Sequence, residues 1–328
     1  FTFTFIKILS NFSFTIYNYG MRALVLSGTN NLFTCECDDG VIRQCSIKGK
    51  VIKTDKKFYN PLAPGDFVEI EINPINNDKG QVINLIPRTN TFARWNIKGN
   101  APQLLASNLD YLILVTTPDE PPFRPRFIDR ELIQADVAGI TPLIVCNKCD
   151  VEGAEDPDFL ERISIWQNLG YKVLKVSAKT GEGLKELSDI IENKTTALVG
   201  QSGIGKSSIV NALDNTAVQR TGELSEKYGR GQHTTTKGTL MHLNIDKKIS
   251  GKENTIANLI DTPGIRRFIL HEIDWQDTAL YFPEMKPLLG QCKFGASCSH
   301  IHEPGCKILE AVYAGVIFED RYESWKRI

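Results

Sequence analysis

From residue 21 to about residue 90, apolar and polar positions alternate in short runs at 22–26, 32–37, 41–47, 66–72 and 80–86. Turn formers separate the runs, as in Pro61-Leu62-Ala63-Pro64-Gly65. A period of two marks half-buried strands, and several such strands at regular spacing predict a small all-β barrel of the OB type. From about 93 to 270 the pattern changes to continuous apolar runs (111–116, 142–146, 171–176, 196–199, 255–260) alternating with helical stretches such as 127–138 and 206–213. Strand–helix alternation predicts an α/β domain with a mostly parallel sheet. Beyond 270 the chain reads as short helical segments, the last over 321–328, where it is expected to be cut slightly short.

A length of 328 residues fits two or three domains. The expected division is a non-native or disordered leader at 1–20, a barrel at 21–91, an α/β domain at 92–270 and a small, mainly helical domain at 271–328. The leader is Phe-rich and runs into Met21-Arg22-Ala23-Leu24-Val25, so Met21 is the expected biological start. A signal peptide fits less well, because Lys7 is its one charge and Ser, Thr and Asn interrupt the apolar run. No stretch of eighteen or more apolar residues is present, so no spanning helix is expected. Formal net charge is −1, which leaves any nucleic-acid binding to local patches. One such patch is Arg43, Lys48, Lys50, Lys53, Lys56 and Lys57, opposed only by Asp55; it reads as an RNA footprint or as a solvated face. Eight cysteines without a disulfide framework point to a reducing, cytoplasmic location.

The candidate chemistry lies in the α/β part. Gly200, Gln201, Ser202, Gly203, Ile204, Gly205, Lys206 and Ser207, with Ser208 after them, fit GxxxxGK[ST] between a strand and a helix. Such a loop turns backbone N–H groups and a helix N-terminus toward phosphates. Lys206 is expected at the β- and γ-phosphates and Ser207 at Mg²⁺. Asn147-Lys148-Cys149-Asp150 ends a buried strand, where ligands bind in open α/β sheets. The Asp150 carboxylate can accept from guanine N1–H and its 2-amino group, and adenine lacks that pair of donors. Ser177-Ala178-Lys179, after the next strand, suits support of the guanine O6.

Asp261-Thr262-Pro263-Gly264 follows another strand. Asp261 is expected to reach Mg²⁺ through water and the Gly264 N–H to sense the γ-phosphate. Residues 229–236, Gly-Arg-Gly-Gln-His-Thr-Thr-Thr, lie where the first switch must be. Thr235 is the expected Mg²⁺ ligand, with Thr234 and Thr236 as alternatives. The glutamine that orients water in Ras-type enzymes is replaced by Ile265. His233 is the expected substitute, with Gln232 next to it.

After the α/β part, Cys292, Cys298, His300 and Cys306 offer three thiolates and an imidazole within fifteen residues, enough for one structural zinc. His302 competes with His300. Cys35, Cys37 and Cys45 read as strand residues, since no fourth ligand is near.

The order of these motifs is permuted. NKCD at 147 and SAK at 177 precede GQSGIGKSS at 200, GRGQHTTT at 229 and DTPGIRRF at 261, and CKFGASCSHIHEPGC follows at 292. In these motifs residues 21–328 resemble the ribosome small-subunit-dependent GTPase A family. The resemblance implies an OB-fold, a circularly permuted GTPase and a zinc domain in that order. It also implies a cytoplasmic, monomeric hydrolase of GTP to GDP that binds the small ribosomal subunit and its 16S rRNA late in maturation, and that the subunit stimulates. One departure is the five residues between Cys292 and Cys298, one more than the family spacing. Two other readings remain: a GTP-gated rRNA-binding module with incidental turnover, favoured by the missing glutamine, and a permuted GTPase of the large subunit.

Overall fold

The structure is a computed structural model that describes residues 20–29, 31–49, 57–216, 238–262 and 269–328. Five strands form a closed barrel: β1 (Met21–Thr29), β2 (Leu32–Cys37), β3 (Ile42–Ile47), β4 (Phe67–Ile72) and β5 (Lys79–Leu85), in the order β1-β2-β3-β5-β4. β3 and β5 pair in parallel, and β4 returns antiparallel to β1. Alternate positions, among them Ala23, Val25, Phe33, Cys35, Cys45, Val68, Ile70 and Val82, fill the interior. The three barrel cysteines are thus core residues, as their alternation predicts.

Two members of the basic patch serve the barrel itself. Arg43 is only 1% exposed, and its guanidinium makes a bidentate pair with Asp39 and donates to Asn77 O at 2.8 Å. Lys48 pairs with Glu71 at 2.6 Å. The footprint reading therefore fails for Arg43. Its charge neutralises an acid four residues back instead of facing outward. Lys57 is exposed, whereas Lys50, Lys53 and Lys56 lie outside the described residues.

The strand–helix alternation expected from residue 93 begins later. A two-stranded hairpin, β6 (Thr91–Asn96) and β7 (Ala101–Ser107), stands between the barrel and the main sheet. Asn96 Oδ1 accepts from Gly99 N at 3.1 Å, so the chain turns back at once with no room for a crossover helix. Phe92, Ala93, Leu104 and Ala106 are buried. Asp66 fastens the hairpin to the barrel: the fully buried carboxylate takes Arg88 Nε at 2.7 Å, Ser107 Oγ at 2.6 Å and Ala63 N at 2.9 Å.

The α/β part runs β8 (Tyr111–Thr116), α1 (Pro125–Val137), β9 (Thr141–Cys146), α2 (Pro157–Asn168), β10 (Lys172–Lys175), α3 (Leu184–Ile191), β11 (Thr195–Val199), α4 (Lys206–Leu213), β12 (Thr239–Ile245), α5 (Lys247–Ser250) and β13 (Thr255–Asp261). Its sheet has the order β10-β9-β8-β11-β13-β12, parallel except for the β12 edge. Apolar clusters cover both faces, which is why its inner strands read as continuous apolar runs. Pro125 opens α1 with its φ preset for a helix, and the Asp156 side chain caps α2 by accepting from Asp158 N at 2.9 Å. His242 on β12 reaches the barrel, with Nε2 2.8 Å from Glu36 Oε2.

The C-terminal part packs 3₁₀ turns, α6 (Lys307–Tyr313) and α7 (Glu319–Lys326) on one cluster that includes Ile133 of α1. A charged network reinforces this seam. The Asp129 carboxylate of α1 accepts from Arg162 of α2, from Arg321 of α7 at 2.6 Å and from Trp166 Nε1 at 3.0 Å. Arg321 also pairs with Glu284 at 2.7 Å, and Asp320 joins Arg126 at 3.0 Å. Burial alone would raise the Asp129 carboxyl, but Arg321 and Arg162 overcome it and hold the group below its ordinary value. Removing one partner of such a group leaves buried charge uncompensated. Asp129→Ala should therefore cost about 3–5 kcal/mol in denaturant unfolding of the full chain; a loss under about 1 kcal/mol would mean that Arg162 and Arg321 are not left uncompensated without it.

Candidate nucleotide site and metal centre

The sheet brings the separated motifs to one edge. NKCD follows β9, SAK follows β10, the phosphate loop follows β11 and Asp261 ends β13. β8, β9, β10, β11 and β13 run parallel, so these are all C-terminal strand ends. Chain order does not matter to this convergence, because strand position in the sheet sets it.

Asn147 fastens three of the loops together. It is 1% exposed, its Nδ2 donates to Ile204 O at 2.9 Å and its Oδ1 accepts from Ala178 N at 3.2 Å. Gly205, at φ +89°, is required beside it: a Cβ there would lie 2.3 Å from Asn147 Nδ2. Lys148 takes the left-handed conformation at φ 63°, uncommon for a lysine, and donates from Nζ to Glu120 O at 2.5 Å and Gly203 O at 3.0 Å. Cys149 N donates to Val176 O at 3.1 Å. The Asp150 carboxylate accepts from Ser177 Oγ at 2.8 Å and lies 3.6 Å from Lys179 Nζ. The Ser177 bond, then the Lys179 charge, hold it below its ordinary value, so it presents an ionised acceptor edge.

In the phosphate loop, Ile204 is buried while Ser202, Gly203, Ser207 and Ser208 are exposed at the mouth. Lys206 starts α4 and turns its ammonium back to Gly200 O at 2.9 Å and Gln201 O at 3.0 Å. Burial pushes this lysine down, and Asp261 and Glu131 oppose that shift. Asp261 is pushed up by burial, with Lys206 opposing, and its Oδ1 is buried without a hydrogen-bond partner. A buried carboxylate oxygen left over beside a phosphate loop fits the water shell of a divalent cation, so the donor set suits Mg²⁺. Thr262 donates from Oγ1 to Leu198 O at 2.5 Å and ties β13 to the phosphate-loop strand. Gln232, His233, Thr234, Thr235, Thr236 and Gly264 lie outside the described residues.

The C-terminal cluster gathers Cys292, Cys298, His300 and Cys306, all buried, with ligand atoms within 4.8 Å of one another. Cys292 Sγ and Cys306 Sγ are 3.9 Å apart and lie 3.5 and 3.4 Å from His300 Nδ1. Tetrahedral zinc with its usual bond lengths would set sulfurs about 3.8 Å apart and sulfur to nitrogen about 3.6 Å. The residues therefore fit that ion. Backbone N–H groups of Lys307 and Leu309 point at Cys292 Sγ (3.3 Å) and Cys306 Sγ (3.5 Å), as they do toward thiolates. His300 is anchored through its carbonyl, which accepts from Tyr322 at 2.7 Å. His302 is exposed and outside the cluster. Among the described residues, no helix is long and apolar enough to cross a membrane.

Sequence reasoning missed Glu131, a fully buried carboxyl within electrostatic reach of Lys206. Its signal was there: an acid at the position of α1 between Ile128 and Leu132, which face the core.

The profile of the RsgA GTPase family matches residues 85–271. The small ribosomal subunit biogenesis GTPase RsgA of Borrelia recurrentis is 39% identical over 305 residues, 93% of this chain and 92% of that one. Its counterpart from Flavobacterium psychrophilum is 36% identical over 313 residues, 94% and 92% of the two chains. Among solved structures, YjeQ from Thermotoga maritima superposes with a TM-score of 0.66 at 28% identity, covering 94% of this chain and 96% of that one. YloQ, a circularly permuted GTPase, superposes with a TM-score of 0.62 at 22% identity, covering 95% of each, and supports the fold alone. Barrel, permuted sheet, cysteine–histidine cluster and these matches together place the chain in the RsgA GTPase family of GTP-hydrolysing enzymes.

Proposed function

We propose that the chain hydrolyses GTP to GDP and phosphate while bound to the small ribosomal subunit during its late maturation, and that the subunit stimulates turnover. The observation that carries the nucleotide reading is the Asn147 side chain, which joins the phosphate loop to the SAK loop at the edge where Asp150 stands. The ribosomal reading rests on the relatives' names, small ribosomal subunit biogenesis GTPase. The proposed division is the barrel at 21–91 and the C-terminal zinc domain at 271–328 as flanks that hold 16S rRNA, with the GTPase at 92–270 between them and 1–20 as a leader. We place the enzyme in the cytoplasm as a monomer.

In this reading Asp150 accepts the guanine N1–H and 2-amino protons, while Asn147, Lys148, Cys149, Ser177, Ala178 and Lys179 shape the base pocket. The backbone from Gly200 to Gly205, with Gln201, Ser202, Gly203 and Ile204 between, cradles the phosphates; Lys206, Ser207 and Ser208 complete that end. Mg²⁺ would be held by Ser207 and Thr235, with Asp261 on its water shell, and would supply charge neutralisation at the phosphates. The Gly264 N–H reads the γ-phosphate, and His233 orients the attacking water. Cys292, Cys298, His300 and Cys306 hold one zinc.

Three measurements test these assignments. With purified 30S subunits, GTP turnover should rise several-fold or more over the free enzyme, should not rise with 50S subunits, and should be lost in His233→Ala, which should still bind GTP. Stimulation by 50S alone would move the enzyme to the large subunit, and full hydrolysis by His233→Ala would remove that residue from the mechanism. Asp150→Asn should weaken GTP by about 1.5–3 kcal/mol for the charged hydrogen bond lost, and should favour xanthosine triphosphate, whose 2-oxo group accepts from the new amide; unchanged GTP affinity would place the base elsewhere. Protein purified without chelators should carry one zinc per chain and Cys306→Ser should lose it, whereas metal-free wild-type protein with an intact C-terminal fold would dismiss the zinc site.

A further inference from the structure

Gln134 is an amide among apolar neighbours on helix α1. It is 3% exposed and stands between Ile133 and Ala135, both buried. Burying an amide is costly unless its donor and its acceptor are both used. Here one distant residue uses both. Gln134 Nε2 donates to His271 O at 3.2 Å, and Gln134 Oε1 accepts from His271 N at 2.9 Å. A side chain thus takes the place of a strand neighbour for a residue that belongs to no strand or helix.

His271 is held from a second side. Its ring meets Phe58 edge-on, with centroids 6.4 Å apart and planes at 72°. The Arg88 guanidinium lies 5.7 Å from the centroid of the same Phe58 ring and pairs with Asp66 of the barrel-to-hairpin tie. Just before His271, Ile269 O accepts from Trp95 N at 3.2 Å, and Leu270 packs on the apolar clusters of both the sheet and the C-terminal part. Three consecutive residues are therefore fastened to the hairpin, to two apolar clusters and to α1.

These residues stand just after the segment that Asp261 opens. Its near end is fixed as well: Thr262, directly after β13, donates from Oγ1 to Leu198 O of β11 at 2.5 Å. Six residues, 263–268, separate that anchor from Ile269. At the far end, Trp95 gives one hydrogen bond from a two-stranded hairpin, whereas Gln134 gives two from a helix packed on the sheet. An apolar side chain of the same volume could fill the place of Gln134, but it could not hold the His271 backbone.

We propose that Gln134 is a positioning residue for GTP turnover: by fixing His271 it sets where the segment opened by Asp261 ends, and so how that segment is placed against the γ-phosphate. The inference rests on the nucleotide reading of Asp261 and Gly264 given above. Closing a loop costs more as its anchors move apart in sequence, and a reacting group displaced by about 1 Å can lose about a hundredfold in rate. Without Gln134 the far end is left to the Trp95 bond and to apolar packing, which has no direction of its own. GDP has no γ-phosphate, so its binding should not feel the change.

The test compares Gln134→Met, which keeps most of the side-chain volume and removes both hydrogen bonds, with Gln134→Ala and with Arg126→Ala. The last opens the ion pair to Asp320 on the same seam without touching Gln134. Binding of fluorescent GDP, binding of a non-hydrolysable GTP analogue and steady-state GTP hydrolysis would be measured on the full chain. Gln134→Met should bind GDP within about twofold of the wild type and the GTP analogue about threefold more weakly, the scale of one doubling of a loop. Its kcat should fall about tenfold or more, while Arg126→Ala matches the wild type throughout. Gln134→Met with the wild-type kcat and the wild-type ratio of GTP-analogue to GDP affinity would overturn the proposal. Equal weakening of both nucleotides would overturn it too, because general loosening of the fold does that, and so would the same loss of kcat in Arg126→Ala. Should Gln134→Met fail to fold, Gln134→Ala at the wild-type rate and ratio decides against the proposal in the same way. Lys206→Ala protein that binds and hydrolyses GTP like the wild type would instead overturn the nucleotide site itself; an inactive Lys206→Ala beside fully active Gln134 variants would sink only the present inference.

Discussion

The candidate nucleotide site depends on one buried amide. Asn147 has a single donor group and a single acceptor directed at loops that are 57 and 31 residues away in sequence. Neither loop could be held in register by local chain geometry at that separation. A side-chain amide can do it because it offers both polarities in one rigid plane. Once Asn147 is satisfied, the loop at 200–205 and the loop at 177–179 have a fixed spacing, and Asp150 and Lys206 are placed with them. This explains how the chain tolerates a permuted motif order. Strand neighbours and one cross-loop amide define the site, and both survive when the connections between strands are redrawn.

Helix α1 does for the rest of the protein what Asn147 does for the loops. One side of it packs Ile128, Leu132 and Ala135 on the sheet. Another meets the C-terminal part through Asp129, Ile133 and Gln134, whose amide exchanges bonds with the His271 backbone at 2.9 and 3.2 Å. The C-terminal part is thus not merely strung after the last strand. It is bound to the helix between β8 and β9, the strand pair that leads into NKCD. A charged seam of this kind contributes position more than net stability, since its desolvation offsets much of its attraction. Position is what a module carrying the cysteine–histidine cluster needs.

Much of this was legible in the sequence, and the failures have physical causes. Periodicity located the barrel strands to within a few residues because each buries alternate side chains in one small interior. The phosphate loop was legible because its glycines and the strand–helix context are sterically obligatory. The hairpin at 91–107 was not, since two short β runs around a tight turn look like the start of an α/β repeat until the turn is seen to close on itself. Arg43 misled because a string of basic residues reads as exposed, and nothing local reveals that Asn77, from a distant turn, completes its burial. Glu131 was missed for the opposite reason: an acid in a helix reads as solvated, although helical spacing from Ile128 and Ala135 puts it on the buried face of α1.

The unforeseen hairpin also bears on where the permuted chain is anchored. Trp95 N donates to Ile269 O at 3.2 Å, so the chain leaving the DTPG segment is bound to β6. A Cβ on Gly238, where the described chain resumes before β12, would lie 3.3 Å from Leu105 O of β7. Residues 238 and 269, where the described chain resumes after each of these segments, therefore both lie against the same two strands. Those strands are tied to the barrel through Ser107 and Asp66 at 2.6 Å. In an unpermuted chain the segment after DxxG stays within the nucleotide domain; here it ends on a hairpin shared with the barrel and continues into the part held by α1. The described chain on the far side of each of these motif-bearing segments thus lies against a hairpin that is itself tied to the barrel.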